Sequence, residues 1–195
     1  MDATATGGTS LWRAYIGLGG NLPLRLSGKN SPPQQTVLAA AQALAELGTV
    51  EAVSGLWQTA PVGPVRDQPD FVNAAAQLRT QLAPETLLER LLAIEQRFGR
   101  VRGPIDKGSR TLDLDLLLME RIGEPPAEPG CGVPVVLDTP RLQLPHPEMH
   151  RRRFVLAPLT EIAPDVRHPL CDSTVRELLL GLDAHQPVKR LGQQG

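Results

Sequence analysis

The sequence predicts an α+β fold, an antiparallel sheet with helices packed on one face. Three observations carry the expectation: strands with period-2 alternation, helical stripes bounded by proline and glycine, and a chain of 195 residues, 41% of them hydrophobic, which suits one well-buried domain. Ala14 to Leu18 alternates around Ile16 and runs into Gly17-Leu18-Gly19-Gly20-Asn21, which reads as a first strand ending in a tight loop. Ser31, Pro32 and Gln34 offer a capping start for a helix whose stripe is Val37, Ala40, Ala41, Leu44 and Leu47, with Gly48 as its stop. Thr49 to Gln58 reads as a second strand, and residues 60–69 as a stiffened Pro/Gly loop. In the third strand, Phe71 to Thr80, Val72, Ala74, Ala76 and Leu78 share one side, while Phe71 and Asn73 face the other. Pro84 opens a second helix with Leu88, Leu91, Leu92 and Phe98 on its apolar side, ended by Gly99.

The fourth strand lies in RTLDLDLLLM, residues 110–119. Leu112, Leu114, Leu116 and Leu118 point into the core, and Asp113 and Asp115 share the opposite face with Cβ atoms roughly 7 Å apart. Taken alone, that pair reads either as a solvated sheet face or as a site for divalent cations. The element order is then β-α-β-β-α-β, the ferredoxin-like arrangement, with its second sheet face free for a site. Residues 123–136 form a Pro/Gly-rich excursion, and helical patterns near 148–160 and 173–182 make a C-terminal helical extension. Residues 11–185 are expected to form the single domain, and residues 1–10 and 186–195 disordered tails.

Composition excludes several function classes. A net charge of −1 and 3% aromatic residues argue against a dedicated nucleic-acid or membrane-surface protein. No signal-like segment or long apolar run is found, so a cytoplasmic location is expected. Cys131 and Cys171 lack a CxxC partner and read as free thiols. The glycines after the first strand miss the GxGxxG pattern, since Leu22 stands where the last glycine is needed, and Gly28-Lys29 lacks the rest of a Walker A motif. His146 and His150 have an i, i+4 spacing, but the order is not HExxH and Pro145 and Pro147 disturb the turn; a substrate-contacting His146 or a capped surface histidine fits better than zinc. Arg97, Arg100, Arg102, Lys107 and Arg110 crowd positive charge against the single acid Asp106, just before the paired aspartates. Metal and phosphate between carboxylates and arginines would account for both groups. Glu95, near the C-terminal turn of its helix, opposes the helix dipole and calls for a polar ligand or an arginine partner.

The stretches AYIGLGGN, TAPVGPVRDQPDFVNAAAQL, GRVRGPIDKGSRTLDLDLLL and LPHPEMHRRRFVLAPLTEIAPD closely resemble the 6-hydroxymethyl-7,8-dihydropterin pyrophosphokinase family of folate biosynthesis, from about Ala14 to Asp165. The resemblance implies a ferredoxin-like fold and transfer of pyrophosphate from ATP to the pterin hydroxymethyl group with two Mg2+ ions. It implies that Asp113 and Asp115 hold both ions. Thr59, Val62 and Asn73 would bond the pterin edge, with Ala60 in its wall and Phe71 and Phe154 about its ring. Arg100, Arg102, Arg110 and Arg152 would contact phosphates, Glu95 and His146 would face the nucleotide, and Arg141 and Gln143 would lie by ribose and adenine. The partners implied are ATP and the pterin, acted on by a monomer, without nucleic acid or membrane. The chain departs from the family pattern at Lys107, Pro147, Gln143 and Gly20, which bears on loop closure and adenine contacts. The rival readings are a catalytically silent relative and a ferredoxin-like ligand-binding module; an RNA-reading sheet would need more exposed aromatics than Phe71 beside two carboxylates.

Overall fold

The computed structural model describes residues 10–26, 29–61, 67–100, 108–123, 132–183 and 186–192. In chain order the elements are β1 (Leu11–Gly20), β2 (Leu24–Leu26), β3 (Lys29–Ser31), α1 (Pro33–Ala43), β4 (Thr49–Val53), β5 (Trp57–Thr59), β6 (Phe71–Thr80), α2 (Pro84–Arg97), β7 (Asp113–Ile122), β8 (Val133–Pro134), β9 (Leu137–Asp138), β10 (Gln143–Leu144), α3 (Arg153–Ile162), β11 (Arg167–His168), β12 (Ser173–Thr174), α4 (Val175–Gly181) and β13 (Val188–Arg190). The main sheet is antiparallel throughout, in the order β13-β5-β6-β1-β7-β8, with β4 also paired to β6. Among the described residues no helix is long and apolar enough to cross a membrane.

Alternation builds both faces of the sheet. Ala14, Ile16 and Leu18 of β1, Val72, Ala74, Ala76 and Leu78 of β6, and Leu114 and Leu116 of β7 join α1 and α2 in one core. Each buried leucine or isoleucine contributes about 1.5–3 kcal/mol of apolar transfer. The other face is not free along its length, contrary to the one-sided packing expected. Tyr15, Ala75, Leu117 and Leu118 form a second core with Val155, Leu156 and Leu159 of α3 and Val175 of α4. The small Ala75 leaves α3 room to lie against β6. Its other end remains open around Asn73 and Asp113.

A bulge explains why Leu118 sits in this second core and not with Leu112, Leu114 and Leu116. The β1–β7 register runs Gly17↔Asp115 and Ile16↔Leu116, then shifts to Tyr15↔Leu118, so Leu117 is the extra residue. Its carbonyl accepts the His146 N–H at 2.8 Å, tying the 145–147 segment to β7.

Other boundaries differ for local reasons. The expected second strand is split into β4 and β5 at Ser54, which keeps one ladder bond, its N–H to the Ala75 carbonyl at 2.9 Å, while its hydroxyl accepts the Ala75 N–H at 2.9 Å. The stretch expected to cap the first helix does not; Ser31 ends β3, and Pro32 precedes α1 without a side-chain cap. Pro33 opens α1, where its missing N–H costs nothing. Gly99 ends α2 at φ 70°, a left-handed conformation that a side chain disfavours. Residues 186–192, expected within a disordered tail, instead supply β13, because β5 offers an open edge that pairs Val188 with Thr59 and Arg190 with Trp57. The excursion after residue 123 contributes β8 against β7, and residues 124–131, with Cys131, lie outside the described residues, as do residues 1–9.

Candidate active site

The carboxyl-terminal half of β6 is buried, but its first residues, with the first residues of β7 and the last of β1, face an open end of the sheet. Period 2 puts Phe71 and Asn73 of β6 and Asp113 and Asp115 of β7 on that face, opposite Gly17 and Gly19 of β1. Two hollows meet there. The first, about 620 Å3 including its solvent opening, is lined by Thr59, Ala60, Phe71, Asn73, Arg110 and Phe154 together with both aspartates. The second, about 1310 Å3, is lined by Glu95, Arg100, Arg141, Gln143, His146 and Pro147, again with both aspartates. Asp113 and Asp115 are thus the floor shared by a smaller, more apolar hollow and a larger one.

In the first hollow, Asn73 Nδ2 donates to Thr59 Oγ1 at 3.0 Å, and both residues are buried. Thr59 is fixed in turn by pairing with Phe71 across β5 and β6. The Arg110 guanidinium lies 5.5 Å from the Phe71 ring centre, and that of Arg152 lies 5.8 Å from the Phe154 ring centre. Arg110 Nε and Thr111 Oγ1 are buried with no hydrogen-bond partner among the described residues. Such atoms call for a ligand group.

Charge converges on the aspartates. Arg100 pairs with both Glu95 and Asp113, and Arg110 Nη1 lies 2.7 Å from Asp113 Oδ2. Glu95, only 2% exposed, also accepts the Leu114 N–H at 2.7 Å. Burial raises its pKa to about 7 against the pull of the Leu114 N–H and Arg100. Glu95 therefore has the arginine partner its place on α2 called for. Burial also raises Asp115, to about 6, and the neighbouring Asp113 charge adds to the rise, opposed by Arg152, Arg110 and Arg100. His146 is lowered by burial and by the nearby Arg152. Its Nδ1 accepts the Glu148 N–H at 3.1 Å. His146 and His150 do not share a face: the first lines the larger hollow, and the second packs edge-on against His168.

Every expected site residue within the described range is at or beside the two hollows; Val62 and Arg102, like Lys107, lie outside that range. Arg141 reaches back to Glu89 at 3.0 Å, and Gln143 to Asp138 at 2.9 Å. Leu88 and Leu92, assigned to the core stripe, are half-buried and line the larger hollow, while Leu87 and Ile94 fill the core.

One residue was not singled out by the sequence. Asn21 is 2% exposed; its Oδ1 accepts the Arg110 N–H at 2.8 Å, and its Nδ2 donates to the Pro69 carbonyl at 3.0 Å and to Gln68 Oε1 at 3.1 Å. An asparagine at the end of a strand, followed by no glycine turn partner, was the available signal. Beside it, a Cβ on Gly20 would stand 2.4 Å from the Thr111 carbonyl oxygen, so the glycine that departs from the family pattern permits this close approach.

An antiparallel sheet that presents two carboxylates between adjoining hollows, ringed by arginines, defines an enzyme that brings an anionic substrate against a second small molecule. The profile of the 7,8-dihydro-6-hydroxymethylpterin-pyrophosphokinase family matches residues 15–164, and the chain belongs to that family. It is 44% identical over 159 residues to the 2-amino-4-hydroxy-6-hydroxymethyldihydropteridine pyrophosphokinase of Pseudomonas aeruginosa, covering 80% of this chain and 84% of that one. The enzyme of the same name from Haemophilus influenzae is 38% identical over 179 residues, covering 90% and 96%. Among solved structures, Plasmodium falciparum HPPK-DHPS superposes with a TM-score of 0.59 at 16% identity, over 87% of this chain. This chain spans 43% of that longer one, and the likeness concerns the fold.

Proposed function

We propose that the chain transfers the pyrophosphoryl group of ATP to the hydroxymethyl group of 6-hydroxymethyl-7,8-dihydropterin, giving AMP and the pterin diphosphate for folate biosynthesis. The observation that carries this reading is the meeting of the two hollows at Asp113 and Asp115. The smaller hollow suits a flat heterocycle: Asn73 and Thr59 offer hydrogen bonds to its edge, Phe71 and Phe154 its faces, and Ala60 its wall. Val62 is assigned there by family resemblance. The larger hollow suits the nucleotide, with Arg141 and Gln143 by ribose and adenine, and Glu95 and His146 facing it. Arg100, Arg102, Arg110 and Arg152 take the phosphates, with Arg100 and Arg110 already gathered at Asp113.

The phosphates of ATP are crowded with negative charge that shifts as the group passes to a hydroxyl, so the work of this site is charge compensation and in-line alignment. Asp113 and Asp115 fit a hard cation: both offer anionic oxygen on one face, and burial beside Asp113 holds Asp115 near 6, a repulsion that a cation relieves. These two residues would hold two Mg2+ ions, which would supply positive charge to offset the negative charge of the phosphates. Arg110 keeps its guanidinium at the junction of the hollows, and the Glu95–Arg100 pair orients a second cation beside it. The sheet order β7-β1-β6-β4, with α1 and α2 on one face, supports a ferredoxin-like core with α3 and α4 as its C-terminal extension. We read the chain as a cytoplasmic monomer.

Incubation of the purified protein with ATP, Mg2+ and the hydroxymethyl dihydropterin tests the reading. AMP and the pterin diphosphate should form together. ADP as the nucleotide product would overturn it.

A further inference from the structure

Apart from the two hollows, a second group of ligating side chains comes together. His168 ends β11, whose pairing with β12 places it opposite Ser173. The connecting turn is tight: the N–H groups of Cys171 and Asp172 both donate to the His168 carbonyl, at 3.2 and 3.1 Å, and Asp172 adopts φ 49°. This folds Cys171 back over the histidine three residues before it. The helical turn Met149–Arg151 brings His150 against the same point. One ligand atom from each of His150, His168 and Cys171 lies within 4.8 Å of the others.

The histidines are poorly satisfied without a further partner. Their rings meet edge to face with centres 5.6 Å apart, yet His150 Nδ1 and His168 Nε2 are buried with no hydrogen-bond partner among the described residues. His168 is only 3% exposed. A buried ring nitrogen left unpaired is costly, and one on each of two neighbouring histidines is better explained by a shared guest. Cys171 is exposed and free, so its thiol can turn inward without disturbing the core.

We propose that His150, His168 and Cys171 form a binding site for a borderline-soft divalent cation of the Zn2+ class, separate from the aspartate pair. Two imidazoles and a thiolate favour such an ion over Mg2+, which prefers oxygen. With metal–ligand bonds of about 2.0–2.3 Å, ligand atoms stand about 3.5 Å apart, so the cluster closes by roughly 1 Å. Cys171 at the surface leaves the fourth position to water. Coordination through His168 Nε2 moves the ring proton to Nδ1 and releases the long 3.3 Å contact from the Leu170 N–H. The ion would join the β11–β12 hairpin to the turn that precedes Arg152.

The test uses full-length protein stripped by chelator and titrated with Co2+, whose spectrum reports thiolate ligation. One equivalent should bind with a thiolate-to-cobalt charge-transfer band, displaced by Zn2+ and resistant to excess Mg2+. Cys171→Ser, at an exposed position, should keep its circular dichroism, lose the band and bind Zn2+ at least about tenfold more weakly, the scale set by disturbing a metal's ligand shell. His150→Gln should weaken binding with the band retained. Absence of the band in the wild-type protein at saturating Co2+, or a band that survives Cys171→Ser, would overturn the proposal. Co2+ held at Asp113 and Asp115 adds no thiolate band, so the wild-type spectrum alone separates the two sites.

Discussion

Asn21 holds Arg110 by both ends of its peptide unit: the Asn21 side chain accepts the Arg110 N–H at 2.8 Å, and the Asn21 N–H donates to the Arg110 carbonyl at 2.9 Å. The same amide reaches Pro69, just before Phe71. One buried side chain thus sets the spacing between the start of β6 and the arginine beside Asp113.

Asn21→Ala should lower turnover about tenfold or more, equivalent to ~1.4 kcal/mol in the barrier. Asn21→Asp keeps the acceptor for Arg110 and loses the donor to Pro69, so it should recover part of the rate. In an Arg110→Ala background the Asn21 change should cost little more, because the two act as a unit. Additive losses across this double-mutant cycle would mean that Asn21 supports the fold and not Arg110.

Asp113→Asn and Asp115→Asn should each reduce turnover at least about 100-fold, roughly 2.7 kcal/mol for one lost electrostatic contact. Added Mg2+ should restore only part. Their stabilities should separate: Asp113→Asn weakens the pairs with Arg100 and Arg110, whereas Asp115→Asn relieves repulsion and should melt at or above the wild-type temperature. Thermal melts and AMP formation against Mg2+ read both effects, and near-normal turnover at limiting Mg2+ would remove that residue from the metal assignment.

Asn73→Leu leaves the Thr59 hydroxyl and the heterocycle edge without an amide partner, so pterin affinity should fall by about 1–3 kcal/mol. Nucleotide affinity, which the proposal assigns to the other hollow, should be unchanged. Calorimetric titration with each ligand decides, and equal losses would point to a folding role.

Away from the site, Glu51 binds Arg13 Nε at 2.9 Å, Gln77 Nε2 at 2.8 Å and Arg79 Nε at 3.0 Å. Burial alone would raise its pKa, but these donors and the Arg13 charge hold it below 4.5. Its stabilisation is present above the unfolded value near 4.5 and is lost as pH falls through the lower folded value. Glu51→Gln should therefore cost about 1 kcal/mol at pH 7, the upper end for a solvent-screened pair, and progressively less below pH 4. Urea melts at pH 7 and pH 3 give the difference; equal losses at both would show that the Glu51 charge is not what stabilises.

Alternation makes much of the site legible: it puts Phe71 with Asn73 and Asp113 with Asp115 on one sheet face, and the arginine crowd before β7 marks where charge gathers. What it missed arises from partners distant in sequence. A leucine run hides a bulge, since Leu117 is apolar in either register. The short segment 188–190, one valine followed by two basic residues, is too brief to read as a strand until β5 supplies its neighbour. The packing of α3 on the second face depends on Ala75 being small, which the strand pattern does not rank. Asn21 is polar in a glycine loop, and only the folded chain shows that its amide is enclosed.

The short β13 strand has a consequence for handling the protein. It covers the outer edge of β5, which also carries Thr59, and it is fastened by Arg190 to Glu161 at 2.6 Å. Trimming the chain before residue 188 would bare a row of unpaired peptide groups, an invitation to edge-to-edge aggregation. Removing those few residues would thus threaten solubility and loosen the wall of the smaller hollow at once, so a shortened variant with poor yield would signal a lost edge guard and not a broken catalytic group.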